Sequence, residues 1–261
     1  MRASSLRLNA TLAIAAALAC GCNSTDDGSG SSSSTTTNAS ATGVWSGSDS
    51  SSGLGITAII NSAGEASFIR SDGVQFDGTV DVSANTLAVT VDGYTNFPAT
   101  FADNSDHGVG TLNGTVTTGS TLSGTLSFTT DGNTAVTGSW SLSYAAIANN
   151  ASSTGAIAGN YTDSSSGAVL SITSSGVMTS QGASTGCVLN GSVSTNDTSH
   201  NVYEVAYSYA SCTGTYAALN GVQFTGLATL NTAQSPAQLL IAVAGASTTA
   251  KYGIVSTLSS S

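Results

Sequence analysis

The sequence predicts an all-β protein with two tandem antiparallel domains, and three observations lead to this prediction. Short segments rich in β-branched and aromatic residues recur from Gly43 onward, for example at 53–60 and 86–91. Turn-forming pairs such as Asp92-Gly93 and Ser175-Gly176 separate such segments. Beyond the N-terminal region no window shows a sustained apolar period of 3.6 residues, so a helical domain is excluded.

Four motifs repeat along the chain at a spacing of 112 to 114 residues. The pairs are 43–47 with 155–159, 49–53 with 163–167, 76–80 with 189–193, and 112–114 with 224–226. The constant spacing indicates two homologous domains, which we place at 43–146 and 155–258 with a linker at 147–154. Each copy is long enough for one modest core, and we expect the two to fold separately.

Each copy contains about eight strand-like segments in close succession. Eight antiparallel strands with short links can close into an up-and-down barrel, which hides every strand edge. A β-sandwich is the alternative. In the second copy the predicted strands are 157–162, 168–174, 176–181, 186–194, 201–210, 221–230, 237–244 and 247–257.

The N-terminal residues predict export. Arg2 and Arg7 precede an almost wholly apolar run at 8–19. This run is too short to span a bilayer as a helix. A positive start followed by such a run is typical of a secretory signal peptide, here 1–19. The run ends in Ala17-Leu18-Ala19-Cys20, which resembles the lipobox of bacterial lipoproteins. The resemblance implies lipidation of Cys20, with Cys22 as the second choice, and anchoring to a membrane through that lipid.

A polar linker follows at 20–42, composed mainly of Ser, Thr, Asn, Gly and Asp. It has too little apolar surface to offset the entropy of ordering, so we expect a disordered tether. Gly21, rather than aspartate, follows Cys20. By resemblance to enteric sorting rules, this implies the outer membrane of a bacterial cell envelope.

The charge balance excludes nucleic-acid binding. Only 7% of residues are charged, against about 25% in typical domains. Beyond the predicted signal peptide only Arg70 and Lys251 are basic, and against fourteen acidic residues they leave a net charge of −12. Two scattered cations cannot form the basic patch that nucleic acid requires.

The predicted barrels resemble known families. The eight-strand succession is similar to lipocalin-like barrels, and Gly43-Val44-Trp45 resembles the start of the first lipocalin strand, where the second copy has Ile157. Residues 155–258 resemble modules of uncharacterised proteobacterial lipoproteins. Together these likenesses imply a surface or outer-membrane lipoprotein with tandem lipocalin-like domains, and they imply no particular activity.

Two cysteines lie in the second copy, Cys187 and Cys212. In an oxidising compartment two such thiols favour a disulfide bond. A metal pair is the rival interpretation, but no histidine has ligand spacing to either cysteine. Cys22 is free or pairs between molecules.

Neither histidine lies in a strong catalytic motif. His107 follows Asp103 and Ser105 in a loop that lacks the later ligands of an EF-hand. His200 follows Asp197 and Ser199, but a catalytic triad requires convergence across the fold rather than adjacency. Glu65 and Glu204 are the only glutamates, and they form no obvious glycosidase pair. We therefore assign no catalytic residue, no metal site and no cofactor.

Two strand faces carry candidate contact groups. Asp77 and Asp81 share one face, which is either half of a cation site or a solvated surface. Tyr203, Tyr207 and Tyr209 also share a face. If it points inward they belong to the core, which we favour, and if it points outward they form a contact stripe.

Three functions compete on this basis. The first is a non-enzymatic binding or interaction module for an unknown protein, displayed on the cell envelope by a lipid tether. The second is a carrier of a small apolar ligand inside a barrel. The third, a hydrolase, is remote because convergent acid–base groups are not evident.

Overall fold

The structure is a computed structural model, and it describes residues 37–182 and 184–261. The predicted signal peptide, Cys20, Cys22 and most of the predicted linker lie outside the described residues. Among the described residues, no helix has the length and apolar character needed to cross a bilayer.

The first half of the described chain forms a closed barrel of eight strands, in which each strand pairs with the next and β1 pairs with β8. Its strands are β1 (Gly43–Asp49), β2 (Gly55–Ile60), β3 (Glu65–Arg70), β4 (Gln75–Ser83), β5 (Thr86–Tyr94), β6 (His107–Thr117), β7 (Thr121–Thr130) and β8 (Ala135–Tyr144). The register between β1 and β8 runs from Trp45 opposite Tyr144 to Asp49 opposite Trp140.

Alternation along the strands explains this barrel. In β5, Leu87, Val89 and Val91 are buried inside the barrel, while the intervening residues Thr86, Ala88 and Thr90 face solvent. Gly114 and Gly124 lie opposite each other in β6 and β7, and a Cβ atom at Gly114 would lie 2.0 Å from the Ser123 carbonyl oxygen. The absence of side chains at this pair lets the strands curve closely enough to close.

The second half forms a second closed barrel with the same topology. Its strands are β9 (Gly159–Thr162), β10 (Val169–Ile172), β11 (Val177–Gln181), β12 (Val188–Ser194), β13 (Tyr203–Ala210), β14 (Gln223–Asn231), β15 (Gln238–Ala246) and β16 (Lys251–Ser260). The prediction of two tandem eight-stranded barrels is thus confirmed, and the sandwich alternative is wrong. Strand β16 extends past the predicted end of the second domain at residue 258.

The repeat is visible in atomic detail at the first turn of each barrel. Asp49 and Asp163 each use Oδ1 to accept hydrogen bonds from the backbone N–H groups two and three residues later. In both turns the N–H of the following glycine, Gly53 or Gly167, donates to the aspartate carbonyl at 2.8 Å. The Asp-Ser-Ser-Ser-Gly string therefore encodes one turn twice.

One pairing of the repeat needs correction. Gly155 lies in a single helical turn, α1 (Thr154–Ile157), that precedes the first strand of the second barrel. Trp45 Nε1 donates to the Ala41 carbonyl, and Tyr161 Oη donates to the Ile157 carbonyl, both at 2.8 Å. Tyr161 therefore makes in the second barrel the aromatic-to-carbonyl bond that Trp45 makes in the first, although the strand register aligns Tyr161 with Gly47.

Two further features differ from the prediction. Asp92-Gly93 lies within β5 rather than in a turn. The end of the predicted tether is ordered: the Ser40 N–H donates to Thr118 Oγ1 at 2.8 Å, and Ala41 is buried against the first barrel. Ala41 packs in the core cluster that contains Trp45, and its carbonyl oxygen accepts the hydrogen bond of Trp45 Nε1.

The predicted linker at 147–154 is not a free connection. It begins within a 3₁₀ turn, Ala146–Asn149, and Ala148 is fully buried. Ala148 belongs to an apolar cluster that joins the outer walls of the two barrels and is formed by Val44, Ile59, Ile69, Ala148, Val202, Leu227 and Ala242. The barrels therefore pack against each other within one compact unit.

Candidate functional site

A cleft of about 620 Å³ lies between the two barrels and carries four carboxylate side chains. Glu65, Asp77 and Asp92 come from the first barrel, and Glu204 comes from the second. The rest of the lining consists mostly of small residues, including serine and threonine hydroxyls, together with the larger side chains of Tyr94, Val205 and Leu227. We call this feature the acidic cleft.

Asn61 holds the two glutamates of the acidic cleft together. Its side-chain Nδ2 donates to Glu65 Oε2 at 2.8 Å and to Glu204 Oε1 at 3.2 Å. Its Oδ1 accepts from the backbone N–H groups of Ala63 and Glu65, which places the buried amide in the β2–β3 turn. One turn residue of the first barrel thus positions a carboxylate of the second.

Lys251 connects β16 to the carboxylate of Asp92. Lys251 Nζ donates to Asp92 Oδ1 at 2.8 Å and lies 3.1 Å from His107 Nε2. His107 is buried, with Nε2 2.8 Å from Asp92 Oδ1 and Nδ1 3.0 Å from Asp131 Oδ2. Burial pushes the pKa of Asp92 upward, but the hydrogen bonds and positive charge of Lys251, with His107, outweigh it and lower the pKa. Lys251 and Asp92 therefore form an ion pair between the barrels.

Asp77 is the most strongly perturbed carboxyl group of the acidic cleft. Burial raises its pKa to about 7, and the neighbouring charge of Asp92 also raises it. Its Oδ2 accepts from Gln75 Nε2 at 3.0 Å, while Oδ1 has no hydrogen-bond partner among the described residues. Gln75 Nε2 also donates to the Val243 carbonyl of the second barrel at 2.8 Å.

The predicted half-site for a cation does not form. Asp81 is exposed on β4, whereas Asp77 is enclosed against the second barrel. Within the described ranges, no group of three or more His, Cys, Asp or Glu side chains is arranged to hold a metal ion.

A second groove, of about 730 Å³, also lies between the barrels. Its lining combines aliphatic residues, including Ile69 and Leu240, with neutral polar residues and the ion pair of Arg70 with Asp72. This groove lacks the carboxylate excess of the acidic cleft, so the two concave surfaces differ in charge.

The barrel interiors are occupied by large side chains. In the first barrel, Phe76 and Phe128 meet edge to face with ring centroids 5.3 Å apart, beside Phe68 and Trp140. A space of about 20 Å³ lies among Phe68, Phe76 and Trp140, which is room for about one water molecule. In the second barrel the fully buried side chains include Met178, Tyr203, Phe224 and Leu239. A small-molecule pocket usually needs about 300 Å³ or more.

The structure joins Cys187 and Cys212 in a disulfide bond, as the sequence predicts. Both residues are buried, and they link the segment before β12 to the segment after β13. The metal-pair alternative for these two cysteines is wrong.

The contact-stripe interpretation of the tyrosines is also wrong. Tyr203 and Tyr207 are buried in the core of the second barrel, and Tyr209 packs partly buried against it. The rings of Tyr207 and Tyr209 both meet Phe224, with centroids 5.5 and 5.9 Å away. Their face points inward because the other face of β13 carries Glu204, Ala206 and Ser208.

The loop groups around the two histidines serve local turns. His200 Nδ1 lies 2.7 Å from Asp197 Oδ2 and 3.0 Å from Ser199 Oγ. A catalytic base needs one ring nitrogen for the nucleophile and the other for the acid, so this cluster is not an assembled triad. Asp103 accepts hydrogen bonds from Ser105 and Thr130, which lower its pKa, and it closes the loop before His107.

The acidic cleft was not predicted from the sequence, although one signal for it was present. Asp92 falls on the solvent-facing phase of β5 and lies directly opposite Asp77 in the register with β4. If Asp92-Gly93 is interpreted as a turn, Asp92 has no strand partner, so its pairing with Asp77 is not predicted. Lys251 and Glu204 could not have been added from spacing, because they reach the cleft only through the packing of one barrel on the other.

Comparison with known proteins finds no protein-family model that matches the chain and no matching curated protein.

Proposed function

We propose that this protein is a non-enzymatic binding or interaction module, displayed on the bacterial cell envelope by an N-terminal lipid tether. The observation that carries the proposal is the filling of both barrels by their own side chains. A partner must then bind to outer surfaces, and concave outer surfaces are present between the barrels. We place the partner contact at this junction.

The two surfaces at the junction differ in the contacts that they offer. The acidic cleft offers carboxylates held by Asn61 and Lys251, with hydroxyl groups around them. The second groove offers aliphatic surface with neutral polar residues and the ion pair of Arg70 with Asp72. Apolar surface surrounded by polar groups in fixed positions is typical of protein surfaces that recognise a partner by shape and charge complementarity.

The proposal that the protein is not an enzyme is supported by the two histidines. His107 is enclosed between carboxylates, and His200 uses one ring nitrogen for both of its polar neighbours. General acid–base catalysis requires a group within reach of a bound substrate, and neither histidine lines the acidic cleft.

The display proposal is tested at the two N-terminal cysteines in the native host. Cys20→Ser should abolish incorporation of labelled palmitate and move the protein from the membrane to the soluble fraction, because an acylated cysteine supplies the anchor. Cys22→Ser is the matched control and should retain both label and membrane fractionation. Normal labelling and membrane attachment of the Cys20→Ser variant would overturn the proposal.

The carrier alternative is tested by native mass spectrometry of the full protein purified from its host. A filled barrel should give the mass of the chain with its own lipid alone. An additional small molecule that is lost on denaturation would instead favour a ligand carrier. The 20 Å³ space in the first barrel would then require a rearrangement of its aromatic side chains.

A further inference from the structure

The second barrel is closed along a very short seam. Strand β9 has four residues, whereas β16 has ten. Only two residue pairs join them, Ser259 with Thr162 and Ser260 with Tyr161. The first barrel closes with five such pairs between β1 and β8. In the second barrel, residues 251–258 of β16 therefore have one edge without a partner from β9.

A loop of the first barrel covers part of that edge. The loop between β5 and β6 runs over 95–106, and the Phe97 N–H donates to the Gly253 carbonyl at 2.9 Å. The Asn96 side chain accepts from the Val255 N–H at 3.0 Å and donates to the Val255 carbonyl at 3.2 Å. These bonds satisfy the edge of β16 in the way that a neighbouring strand would.

The same loop places one aromatic ring on each barrel. Phe97 meets Tyr216 and Tyr252 of the second barrel edge to face, with ring centroids 5.7 and 5.5 Å away. Phe101 packs on Phe128 of the first barrel, with centroids 5.7 Å apart. The loop is therefore fastened to its own barrel by Phe101, while Phe97 packs against the core of the other.

Gly253 makes this approach possible. A Cβ atom at Gly253 would lie 2.4 Å from Tyr94 Cβ and 3.1 Å from Gln75 Nε2. Any side chain there would push the end of β5, and with it the loop, away from β16. The close approach thus depends on a glycine in the second barrel as well as on the loop of the first.

We propose that the open edge of β16 is a strand-addition surface, and that its built-in occupant is the Asn96-Phe97 segment of the first barrel. The surface fits an extended segment in which an amide side chain is followed by an aromatic residue. The amide pairs with the Val255 backbone, and the ring covers Tyr216 and Tyr252. The second barrel consequently depends on the first to complete its closure.

The test is residue-resolved hydrogen exchange on the full chain carrying single substitutions. Phe97→Ala and Asn96→Ala should each accelerate exchange of the Val255 amide at least tenfold, because both remove cover from that edge. Exchange of the Leu112 amide, in the first barrel, should not change. Gly253→Ala should likewise accelerate exchange of the Val255 amide, because the added methyl group would push the loop away from β16.

Phe101→Ala is the matched control from the same loop. It should accelerate exchange around Phe128 in the first barrel and leave the Val255 amide less affected than Phe97→Ala does. Unchanged Val255 exchange in both Phe97→Ala and Asn96→Ala would overturn the proposal. The proposal would also be overturned if Phe97→Ala and Phe101→Ala each accelerated amide exchange equally in both barrels. If Phe97→Ala does not fold, Asn96→Ala decides the question, because that variant keeps the ring.

Discussion

The two barrels repeat one architecture but are closed by different devices. The first barrel closes through five residue pairs between β1 and β8, and it contains no cysteine. The second closes through two pairs, contains the Cys187–Cys212 disulfide and takes the Asn96-Phe97 segment from its neighbour. The two copies therefore share their turns and inward-facing residues. The second copy differs in that a disulfide bond and a segment of the first barrel supplement its short strand pairing.

The largest effect should follow from separating the barrels. We expect residues 37–150 to retain a folded β structure alone, because their barrel closes through its own strands. Contrary to the expectation from the sequence that each copy folds separately, residues 151–261 alone should lose cooperative unfolding, because the seam is uncovered and the apolar residues Val202, Leu227 and Ala242 are exposed. Circular dichroism with thermal unfolding measures both fragments. A cooperative transition in the second fragment would show that the two barrels are equally self-sufficient.

Removal of the disulfide should also distinguish the barrels. The bond links residues 25 apart in the sequence, and cross-linking a loop of that length is worth about 3–4 kcal/mol in the chain-entropy model. Cys187→Ser with Cys212→Ser should therefore lower the free energy of unfolding of the second barrel by about that amount. Urea unfolding followed by NMR signals from each barrel gives the measurement. A comparable loss in the first barrel would mean that the two unfold as one unit.

A smaller effect should appear at Asp77, which lies on the wall of the first barrel that faces the second. Because its folded pKa of about 7 lies above the ordinary value of 3.8, the folded protein retains a proton that the unfolded chain releases. The contribution of this group to stability should therefore fall as pH rises from about 4 to 7. Asp77→Asn removes that loss and should raise the free energy of unfolding above pH 7 by about 1–3 kcal/mol.

The matched control for this prediction is Asp81→Asn, at an exposed position on the same strand. Urea unfolding at pH 5 and pH 8 compares the variants with the natural sequence. The benefit of Asp77→Asn should be larger at pH 8 than at pH 5, because only part of the loss has occurred at pH 5, and Asp81→Asn should show no such difference. A pH-independent effect of Asp77→Asn would mean that Asp77 is ionised in the folded protein at both pH values.

The predictable part of the fold consists of features encoded within a few residues. Alternation at Leu87, Val89 and Val91 indicates a half-buried strand, and the Asp-Ser-Ser-Ser-Gly strings at 49–53 and 163–167 indicate the same turn twice. The errors arose where a local pattern had two outcomes. Asp92-Gly93 is a common turn pair, yet the pairing of β5 with both β4 and β6 keeps it in a strand.

The candidate site was much less predictable. Asp77 was recognised as a strand residue on an outer face, but nothing in its neighbourhood in the sequence indicates that Gln75 binds the Val243 carbonyl. The tyrosines of β13 had the right period for either face, and only their contacts with Phe224 decided that they belong to the core.

The sequence by itself determined two antiparallel eight-stranded repeats and the pairing of Cys187 with Cys212, because alternation, turn residues and cysteine number act over short or unambiguous distances. Only the tertiary structure decided that the barrels pack on each other, that four carboxylates meet in a cleft and that Asn96-Phe97 covers β16. Those contacts join residues up to 168 positions apart. Which residues meet depends on the shape and charge of the surfaces of the two folded barrels. The alternation of residues within a strand carries no information about those contacts.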